Sequence, residues 1–166
     1  MTDNPDTANI IVPPPLMAAV ALVVGLVLDW LAPAYILSLM VAVGVRIAVG
    51  LVLMAAGGAL GFAAVRVFRK AGTAVRPWKP SSALVTEDVF QWLRNPMYVG
   101  LMLMLAGFAV MIASDWTLVM TIVFALVIHF GVVKREERYL EAKFGDAYRA
   151  YRKRVRRYGW PPFGFR

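Results

Sequence analysis

The chain has 166 residues, of which 60% are hydrophobic and 17% are charged. A soluble globular domain has about 45–50% apolar and about 25% charged residues, so this composition excludes an ordinary soluble domain. The chain contains no cysteine, which excludes disulfides, thiolate metal sites and cysteine nucleophiles. Its one histidine, His129, excludes a histidine-rich metal centre, and we expect no metal site.

Four long stretches lack Asp, Glu, Lys and Arg, and each approaches the ~20 residues that cross a hydrocarbon core of about 30 Å. They predict transmembrane helices over residues 13–31, 44–66, 96–113 and 116–133, followed by a tail at 134–166. We therefore expect an all-α integral membrane protein in which residues 1–166 form a single membrane domain. Residues 32–43 either lie at the interface or extend the second helix.

The net charge of +8 is concentrated in two regions. Six basic residues lie at the end of the second predicted span and in the connection to the third, and the tail at 134–166 has 11 basic and 4 acidic residues. The positive-inside rule places both regions in the cytoplasm. Four spans then place both termini in the cytoplasm.

Two features of the first helix pair favour structural roles. Gly57-Gly58-Ala59-Leu60-Gly61 has small residues four apart, which is typical of closely packed membrane helices. Asp29 and Arg46 are the charges near the outer end of this pair, and we expect them to pair or to extend to the interface.

The tail has apolar residues at steps of three or four, which predicts an amphipathic helix: Leu140, Phe144, Tyr148, Tyr151, Val155 and Tyr158. Basic residues surround this stripe. Such a helix is typical of a membrane surface, so we expect it to bind anionic lipid headgroups. Because these bases lie against a membrane, nucleic acid is a poor candidate partner.

Polar residues concentrate at two places where a predicted span meets the cytoplasm, at 94–100 and at 134–138. A hairpin of the third and fourth spans brings the two places side by side. Glu136 and Glu137 are either solvated, ion-paired helix residues or a site that accepts two hydroxyl groups, as an acidic residue does with a ribose. His129 is either a packed, hydrogen-bonded residue or a catalytic base.

The ordered set of motifs resembles the isoprenylcysteine carboxyl methyltransferase family and the related phospholipid methyltransferases. The set consists of Arg-Asn-Pro-Met-Tyr-Val-Gly at 94–100, a helical hairpin, Glu136-Glu137, Phe144-Gly145, and Tyr148, Tyr151, Val155 and Arg157. Ala71-Gly72-Thr73 is similar to the bacterial branch. Asn95 stands where eukaryotic members typically have His, and Asp88-Val89-Phe90 stands where Gly-Pro-Tyr is usual.

The resemblance implies a membrane enzyme, in the bacterial inner membrane, that binds S-adenosylmethionine at its cytoplasmic face. The methyl group would pass to a small lipophilic or lipid-like acceptor from the bilayer. The implied roles divide into a cofactor pocket and a reaction centre. Cofactor binding is implied for Asn95, Pro96, Tyr98, Gly100, Glu136, Glu137, Tyr148 and Tyr151.

For the reaction itself, Arg94 is the candidate to hold a carboxylate of the cofactor or the acceptor, because a guanidinium donates two parallel hydrogen bonds. An amine or hydroxyl acceptor would need a base, for which Glu137 and His129 are the candidates. Three other classes stay open: a non-catalytic four-helix membrane factor, a small transporter and a membrane reductase.

Overall fold

The computed structural model describes residues 12–73 and 81–159, together with Thr7 and Ile10. Within these residues the protein is helical and has no β-strand, as the sequence predicted. The helices are α1 (Pro14–Leu31), α2 (Ile36–Met40), α3 (Val43–Lys70), α4 (Pro96–Ile112), α5 (Asp115–Val127) and α6 (Lys134–Arg154). A 3-10 turn covers Asp88–Gln91, and a π-helical segment, Ile128–Val133, joins α5 to α6. The end of the predicted tail, after Gly159, lies outside the described residues.

Three helices of the described chain are long and apolar enough to cross a membrane. They are α1, α3 and the continuous helix Asp115–Arg154, whereas α4 is an apolar helix of 17 residues. Large apolar side chains on their outer faces are exposed, among them Val52, Phe62 and Phe130. Such surfaces suit lipid contact, and the protein is an integral membrane protein. The count of four spans and the single domain stay predictions.

Glycines let α3 and α4 pack antiparallel at very short range. A Cβ atom built on Gly57 would lie 2.5 Å from the carbonyl oxygen of Gly100, and one built on Gly50 would lie 2.6 Å from that of Gly107. Since larger side chains would push the helices apart, close packing explains these positions. The predicted packing role of the Gly57 segment is confirmed at Gly57.

Two carboxylates, Asp29 and Asp115, accept hydrogen bonds at the end of the bundle where α1 ends and α5 begins. Asp29 accepts hydrogen bonds from the Ser114 hydroxyl and the Trp116 amide rather than pairing with Arg46. Asp115 accepts from the amides of Ile36 and Leu37, at 2.8 and 3.0 Å. The segment that the sequence left open therefore forms the short helix α2, which is anchored at the start of α5 and is separate from α3.

The predicted tail helix is interrupted in two places. Gly145 has φ 53° and ψ −124°, which kinks α6, and Val155 is extended, so the helix ends at Arg154. The apolar stripe packs on the protein itself. Tyr148, Tyr151 and Val155 form one buried cluster with Phe90 and with the end of α3. The predicted tail helix is therefore confirmed as far as Arg154, whereas Val155 and Tyr158, the last two residues of the predicted stripe, lie beyond its end.

Candidate functional site

The start of α4 is fixed by the chain segment that follows α6. The Arg94 amide donates to the Arg156 carbonyl at 2.8 Å, and the Asn95 side-chain amide donates to the Arg157 carbonyl at 3.1 Å. Pro96 then occupies the first turn of α4, where its missing amide hydrogen costs nothing. These contacts bring the motif at 94–100 beside the first turn of α6, as the predicted hairpin requires.

A buried carboxylate lies between two arginines at this junction. Glu137 accepts two hydrogen bonds from Arg157, each at 2.7 Å, and pairs with Nη1 of Arg94 at 3.1 Å. The side chains of Arg94 and Glu137 are only 8% and 11% exposed. Two guanidinium groups against one carboxylate leave this cluster with a net positive charge. The hydrogen bonds to Glu137 raise the pKa of Arg157, which keeps its charge.

Arg94 is held at one nitrogen and unpaired at another. Its Nη1 also donates to the hydroxyl of Tyr148 at 3.1 Å. Its Nε is buried and has no hydrogen-bond partner. A buried polar group without a partner costs about 1–3 kcal/mol, so an acceptor on a bound ligand would relieve that cost.

Glu136 contacts the other side of the junction. It accepts a hydrogen bond of 2.8 Å from the hydroxyl of Tyr98, which lies in the first turn of α4. Tyr98 itself is buried between the helices. Adjacent glutamates on one helix thus have different partners.

Tyrosines of α6 form hydrogen bonds with the segment 81–90 at the edge of the site. The Tyr151 hydroxyl donates to the carbonyl of Phe90 at 2.7 Å, and the rings of Tyr148 and Tyr151 lie 6.2 Å apart. Tyr139 accepts a hydrogen bond from the amide of Ser81. These contacts attach the segment 81–90 to α6.

A pocket opens between the end of α3, the segment 81–90, the start of α4 and α6. It contains about 820 Å³ of space free of protein atoms, counting the part open to solvent. Eight of the residues singled out from the sequence line it: Arg94, Asn95, Pro96, Tyr98, Glu136, Glu137, Tyr148 and Tyr151. Its remaining wall is largely apolar and includes Phe68, Leu84, Val85, Phe90, Met97 and Leu140.

Two predicted site residues lie outside this lining. Gly100 packs against Gly57 of α3, where an added Cβ would meet the Gly57 carbonyl at 2.7 Å. His129 lies in the π-helical segment with Nδ1 2.8 Å from the Tyr158 hydroxyl. Burial raises the pKa of Tyr158 to about 12, so this hydroxyl is protonated at neutral pH. The roles predicted for Gly100 and His129 stay predictions.

Sequence reasoning did not assign a role to Arg157 or to the wall at 81–90. Arg157 stands at the end of the Val-x-Arg motif, twenty residues after Glu137, and that motif was the signal available in the sequence. Nothing in the pattern of residues 81–90 indicated that this segment would fold over the pocket.

A sequence model of the phospholipid methyltransferase family matches residues 45–147, which include nearly all of α3, the helices α4 and α5, and the first part of α6. The chain belongs to this family. The resemblance stated from the motifs is therefore confirmed.

Two proteins are similar to parts of this chain. An uncharacterized protein of Haemophilus influenzae is 42% identical over 62 residues, which make up 37% of this chain and 98% of that protein. A protein-S-isoprenylcysteine O-methyltransferase of Schizosaccharomyces pombe is 36% identical over 75 residues, which make up 43% of this chain and 30% of that enzyme. No solved structure matches the chain. Family and relative together point to a membrane methyltransferase.

Proposed function

We propose that the protein transfers the methyl group of S-adenosylmethionine to a small lipophilic or lipid-like acceptor at the cytoplasmic face of a bacterial inner membrane. The observation that carries this proposal is the junction of α4 and α6. There the buried Arg94, with its unpaired Nε, lies beside Glu137 and lines the same pocket as Glu136. The basic regions between α3 and α4 and in the tail support the cytoplasmic placement.

The residues of the pocket fit the chemical groups of S-adenosylmethionine. A carboxylate such as Glu136 can accept hydrogen bonds from ribose hydroxyls or from an ammonium group. Arg94 can donate to a carboxylate. The apolar wall at Phe68, Leu84 and Phe90 suits an aromatic base. When bound, the cofactor supplies a methyl group on a positively charged sulfur.

The chain's own residues would act mainly by positioning the reactants and excluding water. Methyl transfer from a sulfonium is an in-line displacement, so correct placement supplies much of the rate. Glu137 is held by two arginines, which disfavours it as a base. His129 does not line the pocket. The geometry therefore favours a positioning role for Arg94 and Glu137 over proton transfer.

The surface of α6 supports an additional contact with lipid. Arg149, Arg152 and Lys153 project from α6 on its exposed side. Each basic residue near an anionic leaflet contributes about 1 kcal/mol of membrane attraction. We propose that anionic headgroups bind along this face.

The test is methyl transfer from S-adenosylmethionine with a tritiated methyl group. The full chain, reconstituted in vesicles of bacterial lipid extract, is incubated with the labelled donor and extracted with organic solvent. We expect label in the organic phase, strongly reduced by Arg94→Gln and retained by Glu141→Gln. Glu141 is the matched control because it pairs with Arg149 and Arg152 outside the pocket. Label at background in every protein would favour the non-catalytic membrane factor.

A further inference from the structure

The chain that follows α6 returns past the start of α4 as a short irregular segment, residues 155–159, which we call the strap. Its backbone holds the start of α4. The carbonyl of Arg156 accepts a hydrogen bond from the Arg94 amide at 2.8 Å, and the carbonyl of Arg157 accepts one from the side chain of Asn95 at 3.1 Å. Asn95 stands at the N-cap position of α4, where asparagine usually caps the helix, but here its side chain binds the strap instead.

The other end of the strap is fastened to the apolar helix. The hydroxyl of Tyr158 lies 2.8 Å from Nδ1 of His129, in the π-helical segment between α5 and α6. The other residues of that segment are apolar, and two of them, Ile128 and Val132, are fully buried. A hydrogen bond in surroundings of low polarity is electrostatically stronger than one in water. The contact between His129 and Tyr158 is therefore well suited to hold the strap.

The π-helical segment turns His129 toward the strap. Eight residues separate His129 from Glu137, which contacts the strap through Arg157. In a regular α-helix these two side chains would lie about 80° apart around the axis. A π-helical turn contains more residues than an α-helical turn, so it reduces this angle. His129 and Glu137 thus meet adjacent residues of the strap, Tyr158 and Arg157.

Polar contacts dominate the attachment of the strap. Val155 is buried in the cluster that contains Phe90, whereas Arg156 is exposed and residues 157–159 are partly exposed. Irregular segments with few buried apolar contacts open locally at a small cost in free energy, while the rest of the protein stays folded. A single hydrogen bond therefore contributes a large share of the free energy that keeps the strap closed.

We propose that His129 is a positioning residue that holds the strap closed through Tyr158, and that closure of the strap and binding of the pocket ligand favour each other. The coupling follows from Arg94 and Asn95, which line the pocket and are held by the strap. A ligand that contacts these residues binds the closed form more tightly, so it shifts the equilibrium toward that form. The clasp between His129 and Tyr158 stands on the contacts above, whereas the coupling rests on the proposed function.

Trypsin tests the clasp, because cleavage after Arg157 requires the strap to open. The detergent-purified full chain is digested briefly, and release of the peptide 158–166 is quantified by mass spectrometry. Each rate is divided by the rate for a synthetic peptide 150–166 of the same sequence, which corrects for any effect of the substitution on trypsin itself. We expect His129→Leu and Tyr158→Phe each to accelerate release roughly threefold to tenfold, since one hydrogen bond is lost.

Three more variants separate the clasp from a general loss of stability. His129→Asn keeps a polar atom near the position of Nδ1 that can donate or accept, so we expect release close to that of the wild type. The double variant His129→Leu/Tyr158→Phe should release the peptide about as fast as either single variant, because each alone removes the bond. Tyr35→Phe removes a hydroxyl between α1 and α2 and should leave release unchanged. Wild-type release by both single variants, or additive acceleration in the double variant, would overturn the clasp.

S-adenosylhomocysteine tests the coupling. Its binding to the wild type is first measured by calorimetry, and the digestion is then repeated at about ten times the Kd. A ligand that binds only the closed form should slow release about tenfold. Unchanged release by the ligand-bound protein would overturn the coupling and leave the proposed function intact. A folded chain that does not bind S-adenosylhomocysteine would overturn the proposed function together with the coupling, while the rates without ligand still decide the clasp.

Discussion

Substitution of Gly57 by alanine should separate α3 from α4 and weaken both the fold and the site. The added Cβ would lie 2.5 Å from the Gly100 carbonyl oxygen and 2.9 Å from Cγ of Met104. Relief needs a local separation of roughly half to one ångström, which forfeits a quarter to a half of each contact's dispersion energy. Overpacking of this kind costs about 1–3 kcal/mol. Gly100 lies two residues after Tyr98, so the displacement also reaches the pocket.

Gly58→Ala is the matched control for this prediction. It makes the same change one residue along the same helix, where a Cβ atom meets nothing within 4 Å. Unfolding is followed by circular dichroism during titration with sodium dodecyl sulfate, and both variants are compared with the wild type. We expect Gly57→Ala to lose about 1–3 kcal/mol of unfolding free energy and Gly58→Ala to lose none. Equal stability of the two variants would refute the claim that close approach holds α3 against α4.

Three further predictions concern the site and the tail. Arg94→Lys should weaken S-adenosylhomocysteine binding about tenfold in calorimetry, because an ammonium group cannot reproduce the planar donor geometry. Tyr98→Phe removes the hydrogen bond to Glu136 and should change affinity for the same ligand by roughly three- to tenfold. Gly145→Ala places a Cβ at a φ of 53° and should destabilise the protein by about 1–3 kcal/mol in detergent titration, although the space around it is open. Wild-type affinity of Arg94→Lys or of Tyr98→Phe would contradict the corresponding contact, and wild-type stability of Gly145→Ala would contradict the cost expected at a positive φ.

The sequence predicted the apolar helices well because each has a continuous uncharged stretch. The predicted spans 13–31 and 96–113 differ from α1 and α4 by one residue at one end. The helix α3 extends beyond the predicted second span, since its basic end remains helical through Lys70. Charge marks where a helix leaves the apolar layer, whereas the helix itself continues to Lys70.

The tail was harder to predict because periodicity does not reveal what an apolar face packs against. The stripe through Tyr148 and Tyr151 indicated a membrane surface, yet these side chains pack against Phe90 and the end of α3. The kink also depends on one residue, Gly145, whose φ of 53° is not predicted by the periodicity of the stripe. A motif can mark such a glycine, but it does not give the angle.

The motifs predicted which residues of the site lie close together, but not which side chains contact each other. The hairpin brings 94–100 beside 134–138, so the lining of the pocket by Arg94, Glu136 and Glu137 was predictable. Which glutamate faces Arg157 depends on where the chain returns after α6, and helical spacing alone does not determine that return. The two hydrogen bonds from Arg157 to Glu137 are visible only in the three-dimensional structure.

Calorimetric titration of S-adenosylmethionine into the detergent-purified chain tests the central claim most directly. The wild type is measured beside the double variant Glu136→Gln/Glu137→Gln and beside Glu141→Gln, whose carboxylate lies outside the pocket. Circular dichroism confirms in each case that the protein is folded. We predict binding by the wild type and by Glu141→Gln, and loss of binding in the double variant. A folded wild type that shows no heat of binding would contradict the assignment of a methyl-donor site.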